Sequence, residues 1–168
     1  LKRGGKTKKI QSNSKNPRFT DDSVMTIAIC DGILKAGIDA DEDTMKSSMI
    51  NSMHHWGHKY QHAGYGQRFY LWLARKDSKP YNSFGNGSAM RVSSIGWFFE
   101  TLERTRQVAR WSAEVTHNHP EGIKGAEATA CVIWLSRNGY DKAQIKDFVE
   151  KEFEYDLSRT CDQIRPNY

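Results

Sequence analysis

The sequence has no apolar run near the roughly 20 residues that a membrane-spanning helix requires. Nor does it show a charged-then-apolar leader ending in small residues, so neither secretion nor membrane insertion is expected. It has only three cysteines, Cys30, Cys131 and Cys161, far apart and without a C-x-x-C pair. That count and spacing argue against a disulfide framework or a zinc ribbon and fit a reducing, cytoplasmic setting. Cys30 and Cys131 fall inside apolar helical patterns and are expected to be buried thiols. Period-two alternation is also missing, which removes the main signature of half-buried strands.

Acidic side chains are absent from residues 1–18, which carry Lys2, Arg3, Lys6, Lys8, Lys9, Lys15 and Arg18. The formal net charge of +5 is therefore a property of this segment. Setting its seven basic residues aside leaves 18 basic against 20 acidic, or −2 for the rest. A tail of Lys, Gly, Ser and Asn is expected to be flexible and solvated, and no nucleic-acid partner is expected. Residues 19–168 are enough for one domain with a core of its own.

What is present is helical periodicity. Thr20 is placed to cap a helix that opens on Asp21 and Asp22, continues through Val24, Ile27, Ala28 and Leu34, and stops at Gly37. A second helix is expected to open near Asp43 or Thr44, with Met45, Met49, Met53 and Trp56 on one core-facing stripe. Gly64-Tyr65-Gly66 breaks the pattern before a short helix through Phe69, Leu71, Trp72 and Leu73. The turn-rich stretch 79–87 follows, and from Ser88 a helix is expected again through Met90, Val92 and Ile95. Thr101, Pro120 and Asp141 mark three more helix starts, with Asn138-Gly139 as a stop. The expectation is an all-α domain.

Three segments carry residues suited to chemistry. Thr20-Asp21-Asp22 puts two carboxylates and a hydroxyl at one helix start, which suits a hard cation and equally suits ordinary capping. Gly85-Asn86-Gly87-Ser88-Ala89-Met90-Arg91 is a small-residue loop whose backbone amides could meet a phosphate, or simply turn a corner. Thr116-His117-Asn118-His119-Pro120 precedes another helix, where a ring N–H could donate to phosphate or the two histidines could share a metal. In a fourth cluster, His54, His55, His58 and His62, positions 54, 58 and 62 share one face if the helix persists, but Gly57 and Gly64 weaken that geometry and a partly exposed helix end is the simpler reading.

In this order, R-F-T-D-D-S-V-M-T at 18–26, G-Y-G at 64–66, S-F-G-N-G-S-A-M-R-V-S at 83–93 and T-H-N-H-P-E-G-I-K-G-A at 116–126 resemble the ADP-ribosylglycohydrolase family. The likeness runs from about residue 18 to the end and implies an all-α, multi-helix orthogonal domain, here incomplete at both ends. It also implies metal-dependent hydrolysis of the bond linking ADP-ribose to a protein side chain, arginine first, the partner being an ADP-ribosylated protein or ADP-ribose. Such a bond breaks at C1″ through an oxocarbenium-like state. By resemblance, Thr20, Asp21 and Asp22 match half of a binuclear Mg²⁺ or Mn²⁺ site. Gly87, Ser88 and Met90 match the loop along the ADP-ribose, His117 a residue near its diphosphate, and Gly64 and Gly66 a further glycine loop facing the nucleotide. No residue matches a general base. The family's late D-x-D-[ST] element would supply the second half of the ligand set. Here Asp41-Glu42-Asp43-Thr44 has similar letters, but it precedes the second helix and is expected to cap it. The alternative function is a non-catalytic ADP-ribose or nucleotide-binding module, or an inactive fragment.

Overall fold

The computed structural model describes residues 18–75 and 79–165. The basic segment lies outside them except for Arg18, and with it the expectation of a flexible tail. Among the described residues every regular element is helical: α1 Asp21–Ala36, α2 Glu42–Lys59, α3 Gln67–Leu73, a 3-10 turn Ala89–Arg91, α4 Ser93–Phe98, α5 Leu102–Glu114, α6 Pro120–Arg137, α7 Lys142–Phe153 and α8 Cys161–Ile164.

The helices α1 and α2 pack along each other, as do α5 and α6, and α4 crosses α6. The apolar stripe of α1 (Val24, Met25, Ala28, Ile29, Ile33) meets the methionine stripe of α2 (Met45, Met49, Met53), all at 1% exposure or less. Close approach of the two backbones needs Gly32, because a Cβ there would stand 2.8 Å from the Met49 Cα. The same crossing is tied by polar contacts. Ser48 Oγ donates to the Gly32 carbonyl at 2.8 Å. Asp31 accepts from Ser52 Oγ at 2.9 Å and from Trp56 Nε1 at 3.1 Å. Gly32→Ala is therefore expected to force α1 and α2 apart and cost about 1–3 kcal/mol, read as a lower urea midpoint. An unchanged midpoint would mean the crossing relaxes freely.

The sequence-based helix starts are borne out at Thr101, Pro120 and Asp141, as is the capping role at Asp41, while α2 opens at Glu42, just before the expected Asp43 or Thr44. Asp41 caps α2 by accepting from Thr44 N at 2.9 Å, and Thr101 caps α5 by accepting from Arg104 N at 3.2 Å. Asp141 and Gln144 form a reciprocal capping box on α7. Other expectations need correction. Thr20 occupies the N-cap position of α1, but its side chain accepts no amide; its hydroxyl turns to Asp22 Oδ2 at 3.3 Å instead. The expected helix from Ser88 divides at Val92, whose φ of −90° and ψ of 6° separate the 3-10 turn from α4. Arg91 and Val92, at this break, are both buried. Cys131 is fully buried, whereas Cys30 is only half-buried and Cys161 is exposed. The short helix α8 had no periodic signal.

The histidine cluster does not assemble. α2 ends at Lys59, so His62 lies beyond it. His54 stacks on Trp72 with ring centroids 4.6 Å apart, and a ring nitrogen of His58 is 3.1 Å from the Leu73 carbonyl. Both rings thus fasten α3 to α2.

Candidate active site cleft

Four chain segments distant in sequence converge on one cleft of about 340 Å³. The start of α1 supplies Asp21 and Met25, and the turn into α3 supplies Tyr65, Gly66, Arg68 and Phe69. The turn-rich loop supplies Tyr81, Ser83 and Gly85 to Gly87, followed by Met90 and Arg91; His117 completes the wall.

Backbone and hydroxyl bonds hold these segments together. Asp21 N donates to the Ala63 carbonyl at 2.8 Å, fixing the start of α1 against the Gly64-Tyr65-Gly66 turn. Thr26 Oγ1 lies 2.7 Å from the Asp22 carbonyl and 3.3 Å from that of Met90, bringing α1 to the 3-10 turn. Tyr81 N donates to the Thr116 carbonyl at 3.1 Å, and Asn82 N to Asn118 Oδ1 at 2.7 Å. Ser88 Oγ donates to the Gly122 carbonyl at 2.7 Å. The glycine loop and the histidine loop are thus one stitched wall.

Of the residues singled out in the sequence, Asp21, Gly66, Gly87, Met90 and His117 line the cleft. Thr20 and Asp22 flank Asp21 at its rim and are exposed, as is Gly64. Ser88 stands behind the wall at 1% exposure, where its hydroxyl holds the Gly122 carbonyl rather than facing the space. The Met90 amide is already committed to the Asn86 carbonyl at 3.0 Å, so it is not a spare donor for an anion. His117 and His119 do different work. His119 Nδ1 caps α6 by accepting from Glu121 N at 3.1 Å, whereas His117 Nδ1 lies 2.7 Å from Thr116 Oγ1.

Two electrostatic features mark the cleft. Burial, then the charge of Asp22, pushes the Asp21 carboxyl above its ordinary range. The Tyr65 hydroxyl is buried without a partner, and burial followed by Asp21 pushes it up to about 12. Two adjacent carboxylates with a neighbouring hydroxyl are hard oxygen donors, and Mg²⁺ commonly uses one or two carboxylates while keeping several waters. The donor set therefore fits one such cation. Among the described residues no three His, Cys, Asp or Glu side chains gather into a larger metal cluster.

In the same cleft, burial and then the cations Arg91 and Arg68 lower His117 to about 3. The ring is neutral at physiological pH. Because the folded value lies below the ordinary 6.5, the unfolded chain binds the proton first as pH falls. Stability from this group is fully present above about 6.5 and is lost progressively toward about 3. His117→Gln is expected to flatten that limb of a urea-unfolding pH series. A limb of unchanged slope would place the sensitivity elsewhere.

The family model described as ADP-ribosylglycohydrolase matches residues 4–165. The chain belongs to the ADP-ribosylglycohydrolase family. It is similar to ADP-ribosylhydrolase ARH3 of Danio rerio, 28% identical over 152 residues that make up 80% of this chain and 38% of that protein. The Mus musculus protein of the same name is 26% identical over 144 residues, 75% of this chain and 36% of its own. The Homo sapiens one is 32% identical over 71 residues, 42% and 20% respectively. The chain thus spans less than two fifths of the length of these relatives.

Among residues not singled out as site residues in the sequence, Tyr65, Arg68, Phe69, Tyr81 and Arg91 line this ADP-ribosylglycohydrolase cleft, and Thr116 is buried beside His117. A signal existed for Arg91, a cation set among Met90, Val92 and Ile95 where the pattern calls for apolar side chains. For Thr116 and Tyr65, only the fold shows that one hydroxyl meets Arg91 and His117 and that the other is buried without a partner.

Proposed function

We propose that this cleft binds ADP-ribose and that the chain takes part in metal-dependent hydrolysis of the glycosidic bond linking ADP-ribose to a protein side chain. The observation that carries the reading is the convergence of Asp21, Gly66, Gly87, Met90 and His117 on one cleft of about 340 Å³. That volume falls within the range of about 300–1,000 Å³ typical of small-molecule sites. The neutral His117 ring can donate to the diphosphate without needing a proton from solvent. Gly87 allows backbone to approach the nucleotide, and the aromatic faces of Phe69 and Tyr81 offer apolar surface to its rings.

Asp21, Asp22 and the Thr20 hydroxyl would hold Mg²⁺ or Mn²⁺. Bound there, the cation would orient ribose hydroxyls and polarise water near C1″. The chain's own part is to exclude bulk water, fix the diphosphate on the His117 wall and present carboxylate oxygens opposite it. Three free thiols accompany a cytoplasmic setting in this reading. Arginine is the first candidate for the modified side chain.

A second reading is a non-catalytic ADP-ribose-binding module. It is favoured by the use of Asp41 as a helix cap, bonded to Thr44 N, rather than as a further ligand at the cleft. Calorimetric titration of ADP-ribose, with and without Mg²⁺, tests the shared part of both readings. Saturable binding supports them, and absence of heat at millimolar ADP-ribose would refute both. Release of ADP-ribose from arginine-linked, hydroxyl-linked and carboxyl-linked conjugates then separates enzyme from module and selects the side chain.

A further inference from the structure

Arg91 is among the most deeply buried side chains, at 1% exposure, yet among the described residues no carboxylate pairs with it. Its Nη2 donates to the Ser112 carbonyl at 2.5 Å and to Thr116 Oγ1 at 2.8 Å, while its Nε is buried without a partner. Burying a guanidinium against neutral acceptors is costly, so its retention calls for a task beyond packing. The geometry of its second contact supplies one.

A guanidinium has donors and no acceptor, so Thr116 Oγ1 must accept from Arg91. Thr116 Oγ1 keeps a second lone pair, but among the described residues His117 Nδ1, at 2.7 Å, is the acceptor in reach of its buried hydroxyl hydrogen, which would otherwise go unsatisfied. Nδ1 therefore accepts, and the one hydrogen of the neutral ring sits on Nε2. Nε2 is the atom beside Gly87 on the cleft wall, only 2.9 Å from where a Gly87 Cβ would lie.

We propose that Arg91 is a positioning residue that acts through Thr116 to hold His117 in its Nε2–H tautomer, with that N–H offered to an anionic oxygen in the cleft. Arg91 can only donate, so it always occupies one lone pair of Thr116 Oγ1 and favours delivery of the hydroxyl hydrogen to Nδ1. An amide at the same place could present either its oxygen or its nitrogen, and the ring could then turn a lone pair toward the ligand. With the relay intact, the ring donates while carrying no charge, and burial of the ring and Arg91's own charge both disfavour the protonated form. The task assigned to the N–H, meeting the diphosphate, rests on the ADP-ribose reading above; the tautomer does not.

The test uses the ring ¹⁵N shifts of His117 in the ligand-free 168-residue chain. The wild type is expected to show a protonated Nε2 and an unprotonated Nδ1. Thr116→Val, which keeps the buried shape, is expected to move both signals toward a tautomer mixture and to weaken ADP-ribose binding about tenfold, the effect of one lost hydrogen bond to a charged group. Thr116→Ser is expected to restore both. A wild-type spectrum with Nδ1 protonated overturns the relay, and it needs no variant to fold. So does a folded Thr116→Val chain with unaltered shifts. Altered shifts with undiminished ADP-ribose affinity overturn the positioning role. A correct wild-type tautomer in a chain that binds no ADP-ribose refutes the functional reading and leaves the tautomer assignment standing.

Discussion

Asp22→Ala is expected to lower Mg²⁺-dependent release of ADP-ribose on the order of a thousandfold, in a form of the protein that also carries a D-x-D-[ST] segment. A bound cation supplies several kcal/mol of charge stabilisation in such reactions, and each 1.4 kcal/mol is about tenfold in rate. Asp22 is exposed beside Asp21, so its removal leaves the core packing of Val24 and Met25 untouched. A melting temperature close to wild type should therefore accompany the loss. In the 168-residue chain alone, little hydrolysis and only millimolar Mg²⁺ binding are expected, because two carboxylates give weak charge complementarity. Cleavage that survives Asp21→Ala and Asp22→Ala would place the chemistry elsewhere in the molecule.

Gly87→Ala is expected to weaken ADP-ribose binding tenfold to about a hundredfold. The added Cβ would stand 2.9 Å from His117 Nε2, closer than such contacts occur, and 3.0 Å from Cε1. The ring cannot easily yield, since Thr116 Oγ1 holds its Nδ1 at 2.7 Å. Either that bond breaks or the loop moves, and both disturb the wall that faces the diphosphate. The overpacking cost to stability should be about 1–3 kcal/mol, so affinity is measured well below the unfolding transition. Gly125→Ala is the matched control, because its Cβ would meet nothing nearer than 3.8 Å. Equal ADP-ribose affinity in Gly87→Ala and wild type would remove the Gly87–His117 wall from the binding site.

The amino-acid sequence by itself determined the helical class, most helix boundaries and the methionine stripe of α2, because these depend on local periodicity and capping chemistry. Asp41, Thr101 and Asp141 cap by bonding amides three residues on, a relation contained within four residues of chain. The sequence also marked Asp21, Gly87 and His117 as special, since charges and small residues at helix starts stand out from an apolar pattern. It could not show that these segments share a cleft, which depends on the crossing of α1 and α2 and on contacts such as Asp21 N to Ala63 and Tyr81 N to Thr116. Ser88 illustrates the difference. In sequence it belongs to the glycine loop, but its direction was decided by the Gly122 carbonyl, 34 residues away, which draws its hydroxyl behind the wall. The role of Arg91 likewise waited on tertiary structure. A cation in an apolar pattern is visible in one dimension, but its acceptors are on Ser112 and Thr116, and only the fold, which packs the 3-10 turn against α1 and α6, brings them within reach. Local propensity sets which backbone conformation forms; where a polar atom points is set by whichever long-range partner satisfies it once water has been excluded.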